Sequence, residues 1–188
     1  MMNITKSQRK NLIFLIVITL LIIPQTRLPV QVLLNKGLAL FSPSVIDSED
    51  RKTLDNYNWQ LEDSEGNTLD YASTKGKVVL INFWTTWCPP CIAEMPGLEK
   101  LFNDYKDIVI FLFVSNEDNE KNSRFVEKNN YSFKVYRAKS QYPENLNVSS
   151  IPRTFLIDKK GIIVIDKTGA SNWNSEKVRR IIDELLSE

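Results

Sequence analysis

Apolar and polar positions divide the chain into three stretches of different character. Residues 11–23 form an almost continuous apolar run after a basic start, and residues 42–56 are polar. From residue 57 onward, short apolar runs, which predict strands, alternate with segments whose apolar side chains recur every three or four positions, which predicts helices. The predicted strands cover residues 57–61, 68–71, 77–84, 108–114, 134–136, 154–157 and 162–165, and the predicted helices 90–105, 119–129 and 175–186. This order predicts an α/β sandwich with a mixed central sheet and flanking helices.

The apolar runs also indicate where some strands lie in the sheet. Residues 77–84 and 108–114 are continuously apolar, as expected of parallel strands that are buried on both faces. The short segment 134–136 is predicted as an edge strand. Residues 154–157 and 162–165 flank a turn that contains Gly161, which is typical of a β-hairpin.

The N-terminal stretch has the pattern of a targeting segment. Lys6, Arg9 and Lys10 precede a 12-residue apolar run from Leu12 to Ile23, which is shorter than the roughly 20 residues that span a bilayer. No small-residue cleavage site follows the run, so we expect residues 1–41 to be an uncleaved signal-anchor. The positive-inside rule then predicts a single pass through the cytoplasmic membrane, with the following domain on the extracytoplasmic side. A cleaved signal peptide remains the alternative.

The residues after the apolar run are predicted to connect this anchor to a folded domain. Residues 28–41 are expected to lie along the membrane surface as an amphipathic continuation, with Lys36 at the headgroups. Residues 42–56 are expected to form a tether. Residues 57–188 then form the single folded domain.

Charge and composition exclude several classes of function. The 188-residue chain has 24 basic and 23 acidic residues, and this balance gives no electrostatic reason to expect a nucleic-acid partner. Residues 1–41 carry a charge of +5 with no acidic residue, so the remaining 147 residues carry −4. The chain contains no histidine, which excludes a Ser-His-Asp triad, a Cys-His protease, a His-ligated haem and a Cys2His2 zinc site.

The two cysteines, Cys88 and Cys91, are separated by two prolines. Two thiols without histidine make a poor zinc site, and Ile92 stands where attachment of a c-type haem requires histidine. We therefore expect no metal and no cofactor. A redox-active dithiol is the leading interpretation, and two unrelated buried thiols are the alternative.

The position of the dithiol supports redox chemistry. Cys88 follows the end of the predicted strand 77–84 and precedes the predicted helix, so its sulfur is expected to lie at a helix N-terminus. The free N–H groups and helix dipole there stabilise a thiolate. Pro89 and Pro90 suit the first helical turn. Cys91 lies one turn further and is expected to be the less exposed thiol, which resolves a mixed disulfide formed on Cys88.

The segment from Asn82 to Pro96, NFWTTWCPPCIAEMP, resembles the active-site stretch of the thioredoxin superfamily, in its membrane-tethered TlpA/ResA-like branch. The similarity extends over residues 57–187 as an order of elements. Asn82 stands where thioredoxin has a buried Asp, and Glu94 with Pro96 matches a motif of the branch. The resemblance implies a thioredoxin-like fold, protein disulfides as substrates with apocytochrome c among them, and a membrane thiol-reductant protein as electron donor.

The resemblance also implies roles for residues outside the dithiol. Ile151 and Pro152 match the cis-proline loop whose backbone binds the substrate chain, although Pro152 also suits the start of a strand. Trp87 is expected on the substrate-facing surface, but Trp84 and Trp87 also suit a core. Glu94 is either a carboxylate close to both sulfurs, which raises thiol pKa values, or a surface acid near the start of a helix.

These observations favour a thiol–disulfide oxidoreductase that reduces disulfides of exported proteins. Disulfide formation is the reverse reaction, and it is disfavoured because strong oxidants of the superfamily often carry histidine between their cysteines. A peroxiredoxin-like peroxidase is a second interpretation, since Thr85 and Cys88 match a Thr-x-x-Cys spacing weakly. A non-catalytic binding module with a relict cysteine pair is the third.

Overall fold

The computed structural model describes residues 5–188, apart from the side chains of Leu21, Pro24 and Gln25. Residues 1–4 of the expected membrane segment lie outside the described residues. The helices are α1 (Lys6–Ile22), α2 (Pro24–Leu38), α3 (Pro89–Tyr105), α4 (Asn119–Lys128) and α5 (Glu176–Ser187). The strands are β1 (Gln60–Asp63), β2 (Thr68–Asp70), β3 (Val79–Phe83), β4 (Ile110–Val114), β5 (Val135–Ala138), β6 (Arg153–Ile157) and β7 (Ile163–Thr168). They form one mixed sheet in the order β2-β1-β5-β4-β3-β6-β7.

Strand β3 lies near the centre of the sheet and determines where the dithiol is placed. All five of its residues are buried, as its continuous apolar pattern predicts. It pairs in parallel with β4 and antiparallel with β6. Phe83, its last residue, is in register with Val114 on β4 and with Arg153, the first residue of β6. The loops that follow β3 and β4 and the loop that precedes β6 therefore meet at one edge of the sheet.

Two clusters of buried side chains hold the sheet and its covering segments together. One contains the inward residues of α3 and α5 together with both cysteines. The other contains Val79, Ile81 and Phe83 of β3 with Trp59 and Tyr71, which come from the segments around β1 and β2. Because successive residues of a strand point to opposite faces, β3 contributes side chains to both clusters.

The prediction of an edge strand at residues 134–136 is wrong. Strand β5 pairs in parallel with β4 on one side and antiparallel with β1 on the other. The β1–β2 hairpin therefore forms the outer part of this side of the sheet. A three-residue apolar pattern predicts a strand, but it carries no information about which strand pairs with its second edge.

The segment predicted as a tether makes ordered contacts with β7. Ile46 donates its N–H to the carbonyl of Val164, and the N–H of Ile163 is bound to the carbonyl of Lys52. Leu54 is buried, and its N–H donates a hydrogen bond to the carbonyl of Gly161 in the turn before β7. These contacts cover part of an edge whose unpaired backbone groups would otherwise be open to another strand.

The two N-terminal helices differ in how they relate to the sheet domain. Helix α1 exposes most of its apolar side chains. Helix α2 packs against α3. Phe41, which follows α2, is hydrogen-bonded to the sheet domain, since its carbonyl accepts from the N–H of Asn172 at 2.8 Å. Within residues 5–188, no helix combines the length and the apolar character that crossing a membrane requires.

Gly161, in the turn between β6 and β7, requires the absence of a side chain. Its φ is 82°, and a Cβ would lie 2.3 Å from the Tyr57 hydroxyl oxygen. We expect Gly161→Ala to lower the free energy of unfolding by about 1–3 kcal/mol in denaturant titrations, since both backbone strain and displacement of Tyr57 oppose it. Gly66→Ala is the matched control, because Gly66 has a φ of 85° with no neighbour near its Cβ position. Equal losses in the two variants would contradict a contribution from Tyr57.

Candidate active site

Cys88 and Cys91 form a disulfide at the N-terminus of α3, with their Cα atoms 5.2 Å apart. Cys88 is the N-cap residue, and its sulfur accepts a hydrogen bond from the N–H of Cys91 at 3.3 Å. Its exposed fraction is 3%, against 0% for Cys91. The order of exposure agrees with the prediction, but Cys88 is far less open than expected. Helix α2 packs against α3 and lines a groove with Trp87 and Pro89, the residues on either side of Cys88, and the spacing of residues in the dithiol motif carries no information about this packing.

The local sequence explains why the dithiol lies where it does. Strand β3 ends at Phe83, and Trp84 continues the ladder by donating its N–H to the carbonyl of Val114 at 3.0 Å. Pro89 and Pro90 occupy the first turn of α3, where an N–H has no helical partner. The remaining free N–H groups and the positive end of the helix dipole face the Cys88 sulfur, which favours its thiolate once the disulfide is reduced.

Pro152 lies at the same edge of the sheet as the dithiol. The Ile151–Pro152 bond is cis, and Arg153 directly follows it in register with Phe83. The Pro152 carbonyl accepts a hydrogen bond from the N–H of Gly169 at 2.9 Å. Ile151 is half-buried and packs against both core clusters, one of which contains the cysteines. The structure therefore brings the proline loop and the dithiol together.

Glu94 is buried one turn beyond Cys91 on α3. Its Oε1 accepts a hydrogen bond from the Asn82 amide at 2.9 Å, and its Oε2 accepts from the N–H of Ser171 at 3.1 Å and from the Trp173 indole at 3.0 Å. Burial raises the pKa of Glu94 to about 8, and these three donors oppose the rise. This burial excludes the interpretation of Glu94 as a surface acid. The carboxyl group is therefore able to hold or release a proton near neutral pH.

Trp84 and Trp87 have different environments, although only two residues separate them. Trp84 is buried and packs against Phe125, with ring centroids 5.1 Å apart. Trp87 is 63% exposed and lines an open groove of about 610 Å³ with Pro89, Pro90 and residues of α2. The groove gives the dithiol an apolar neighbouring surface.

Glu117 is a site residue that the sequence analysis missed. It follows β4, and its carboxylate accepts hydrogen bonds from the backbone N–H of Thr86 and from the Thr86 hydroxyl. Its own backbone is held by the Ser115 hydroxyl and the Asn122 amide. The carboxylate therefore fixes the loop that carries Trp87 and Cys88. Only the meeting of the β3 and β4 ends at one edge gave a signal for it, since 31 residues separate Thr86 from Glu117.

Replacing Glu117 tests whether this contact positions Cys88. Glu117→Ala removes both acceptor atoms, and we expect the rate of reaction between the Cys88 thiol and a disulfide probe to fall several-fold. Glu117→Gln should restore most of the rate, because an amide can accept from the Thr86 N–H and donate to its hydroxyl. Stopped-flow measurement with the reduced protein checks this result. Glu120→Ala removes an exposed acid from the first turn of α4 and should leave the rate unchanged. Equal rates for Glu117→Ala and the parent would contradict a positioning role.

Comparison with known proteins places the chain in a family. Residues 43–184 match the Redoxin family model. The thioredoxin-like protein YneN of Bacillus subtilis is 38% identical over 110 residues, which cover 56% of this chain and 65% of YneN. The thiol-disulfide oxidoreductase ResA of Halalkalibacterium halodurans is 37% identical over 60% of this chain and 65% of that protein. The chain thus spans slightly less than two thirds of the length of these two relatives.

A third relative matches over a longer stretch, and solved structures share the fold. The thiol-disulfide oxidoreductase ResA of Bacillus thuringiensis is 31% identical over 70% of this chain and 74% of its own length. A putative thiol-disulfide oxidoreductase from Bacteroides vulgatus superposes with a TM-score of 0.55 at 32% identity, covering 67% of this chain and 90% of that one. A putative thiol:disulfide interchange protein DsbE from Chlorobium tepidum has the same fold, with a TM-score of 0.60 at 24% identity over 72% and 98% of the two chains. The chain therefore belongs to the redoxin family, as a ResA-like member of the thioredoxin superfamily.

Proposed function

We propose that this protein is a thiol–disulfide oxidoreductase that uses its Cys-Pro-Pro-Cys dithiol to reduce disulfides of other proteins. The observation that carries the proposal is the Cys88–Cys91 disulfide at the N-terminus of α3, at the sheet edge where Pro152 leads into β6. The names of ResA relatives in Halalkalibacterium halodurans and Bacillus thuringiensis support this activity.

The reaction requires two exchanges between sulfur atoms. The Cys88 thiolate attacks one sulfur of the substrate disulfide, so that a mixed disulfide forms and the other substrate sulfur leaves as a thiolate. The Cys91 thiolate then attacks the Cys88 sulfur, which releases the second substrate thiolate and forms the Cys88–Cys91 disulfide. Two electrons have moved to the substrate, and the released thiolates take up two protons. A second dithiol protein must return two electrons before the next turnover.

The site suits an extended polypeptide as substrate. In our proposal the backbone of the Ile151–Pro152 loop pairs with such a chain, and the half-buried Ile151 and the exposed Trp87 offer apolar contacts to it. We propose exported proteins with exposed disulfides, apocytochrome c among them, as the substrate class. A membrane thiol-reductant protein is proposed as the electron donor.

The proposed location is the extracytoplasmic face of the cytoplasmic membrane. It is supported by the basic residues Lys6, Arg9 and Lys10 that precede an apolar helix, and by the absence of acidic residues from residues 1–41. Residues 1–41 would then serve as an uncleaved signal-anchor. Recovery of a shortened chain that begins near residue 28 or 42 and leaves the membrane fraction would contradict this proposal.

Parallel assays with the full chain test the proposed reaction class. We expect the reduced protein to accelerate reduction of insulin disulfides by dithiothreitol and to consume hydrogen peroxide no faster than a small dithiol does. Cys88→Ser should abolish the insulin activity. Rapid peroxide consumption with negligible insulin reduction would support a peroxidase instead, and inactivity in both assays would support a binding module.

A further inference from the structure

Helix α2 has an unusual distribution of apolar side chains. The face that packs toward α3 has half-buried residues and includes the polar Gln31 and Asn35. The opposite face and the turn that follows it expose large apolar side chains, with Leu33 69% and Phe41 70% exposed. The members of this surface, which we call the leucine face, are Leu33, Leu34, Leu38, Leu40 and Phe41. A monomer in water normally buries such a stripe and exposes the more polar one.

The charges around the leucine face indicate what covers it. Arg27 and Lys36 are both exposed, and at 3.6 residues per turn they fall on opposite sides of α2. Arg27 also lines the groove beside Trp87. No acidic residue occurs anywhere in residues 5–41. Apolar side chains flanked by bases are the pattern of a helix that lies in the interface of an anionic bilayer, where the long basic side chains reach the headgroups.

The inner face of α2 connects this surface to the dithiol. Leu28, Gln31 and Asn35 line the groove whose other wall is formed by Trp87, Pro89 and Pro90. Downstream, the carbonyl of Phe41 is bound to Asn172, in the loop that leads to the Glu94 partner Trp173. Helix α2 is thus attached to the domain beside the redox site and again just after its own C-terminus. The position of α2 on a membrane would fix the position of the whole domain.

We propose that the leucine face docks on an anionic lipid bilayer and holds the mouth of the dithiol at the membrane surface. The proposal rests on the membrane attachment proposed above and adds a defined orientation to it. An α-helix with its side chains is about 10 Å across, so Trp87 lies about one helix diameter from the lipid headgroups. Substrates and reductants held close to the bilayer then reach Cys88 more readily than proteins diffusing freely.

Energy transfer from Trp87 to a dansyl-labelled lipid headgroup tests this orientation. Trp87 is exposed, whereas Trp59, Trp84 and Trp173 are buried, and a Trp87→Phe variant supplies their background signal. The full chain is reconstituted in phosphatidylglycerol vesicles and compared with a Leu33→Glu/Leu34→Glu variant, which retains α1. Ile108→Glu is the matched control, since Ile108 is 59% exposed and lies on the loop between α3 and β4.

We expect transfer from Trp87 to fall by more than half in the Leu33→Glu/Leu34→Glu variant and to stay at the parent level in Ile108→Glu. Phosphatidylcholine vesicles should also lower it. If the parent sediments with vesicles but gives no more transfer than the double variant, the orientation is wrong and the attachment stands. If the parent does not sediment with vesicles yet reduces insulin, both attachment and orientation are wrong and the reductase proposal stands. A stable dimer with no transfer to lipid would overturn the proposal and assign the leucine face to a second copy.

Discussion

Cys91→Ser should accumulate stable mixed disulfides with partner proteins through Cys88, whereas Cys88→Ser should trap almost none and lose reductase activity. Cys88 caps α3, where free N–H groups stabilise its thiolate, and it is the slightly more exposed of the two cysteine residues. Without Cys91, the mixed disulfide has no internal thiol to resolve it. Non-reducing electrophoresis of membrane extracts, followed by identification of the thiol-sensitive adducts, measures the trapping and reveals the substrate class.

The double variant Cys88→Ser/Cys91→Ser is the control for adducts that do not depend on the dithiol. Equal trapping by the two single variants would contradict the assignment of attacking and resolving roles. Loss of all adducts in both would favour a binding module.

Glu94→Gln should change how the stability of the oxidised protein depends on pH. The pKa of Glu94 is about 8 in the fold, against an ordinary value of 4.5, because burial disfavours the charged form. The folded protein therefore binds a proton that the unfolded chain has lost. The contribution of the neutral carboxyl group to the free energy of unfolding is largest below about pH 4.5. This contribution declines as pH rises toward 8, by roughly 5 kcal/mol in all. Glutamine is neutral throughout, so the free energy of unfolding of the variant should increase relative to that of the parent as pH rises through this range.

Denaturant unfolding of both proteins between pH 5 and pH 9, with the disulfide intact, measures the difference. The fold can accommodate the substituted amide because Asn82 Oδ1 is buried without a hydrogen-bond partner among the described residues, and rotation of the Asn82 amide would let it accept. Glu184→Gln, which neutralises an exposed acid on α5, should leave the pH dependence unchanged. If the free energy of unfolding depends on pH in the same way for Glu94→Gln and the parent, the result would contradict a raised pKa of Glu94.

The same substitution should lower the pKa of at least one cysteine thiol in the reduced protein. A carboxylate close to a thiolate disfavours its ionisation, and glutamine removes this repulsion once Glu94 has lost its proton. Thiol titration by alkylation rate across the same pH range measures the shift. Overlapping titrations would mean that Glu94 stabilises the fold without tuning the cysteines.

The sequence predicted the elements that have strong periodicity. Strands β3 and β4 follow from continuous apolar runs, and α5 follows from an apolar stripe that includes Val178, Ile181 and Ile182. The cysteine motif also predicted the dithiol at the start of α3. In each case the signal is local, because a strand, a helix or a capping position is determined by residues within a few positions of one another.

Features that depend on distant contacts were not predicted. The neighbours of β5 depend on how the β1–β2 hairpin docks, and the cover of β7 by residues 46–54 depends on backbone hydrogen bonds between residues more than 100 positions apart. Glu117 was not singled out from the sequence, because only the fold places its carboxylate beside Thr86. Pairings of this kind are specified by tertiary packing, which periodicity along the chain does not encode.

A single-turnover experiment with insulin tests the central claim most directly. The reduced full chain is mixed with excess oxidised insulin, the reaction is quenched with an alkylating agent, and disulfides are quantified by mass spectrometry of unreduced peptides. The proposed mechanism predicts one insulin disulfide reduced for every Cys88–Cys91 disulfide formed, because two electrons pass between them. Insulin that stays oxidised while Cys88 and Cys91 remain thiols would contradict it.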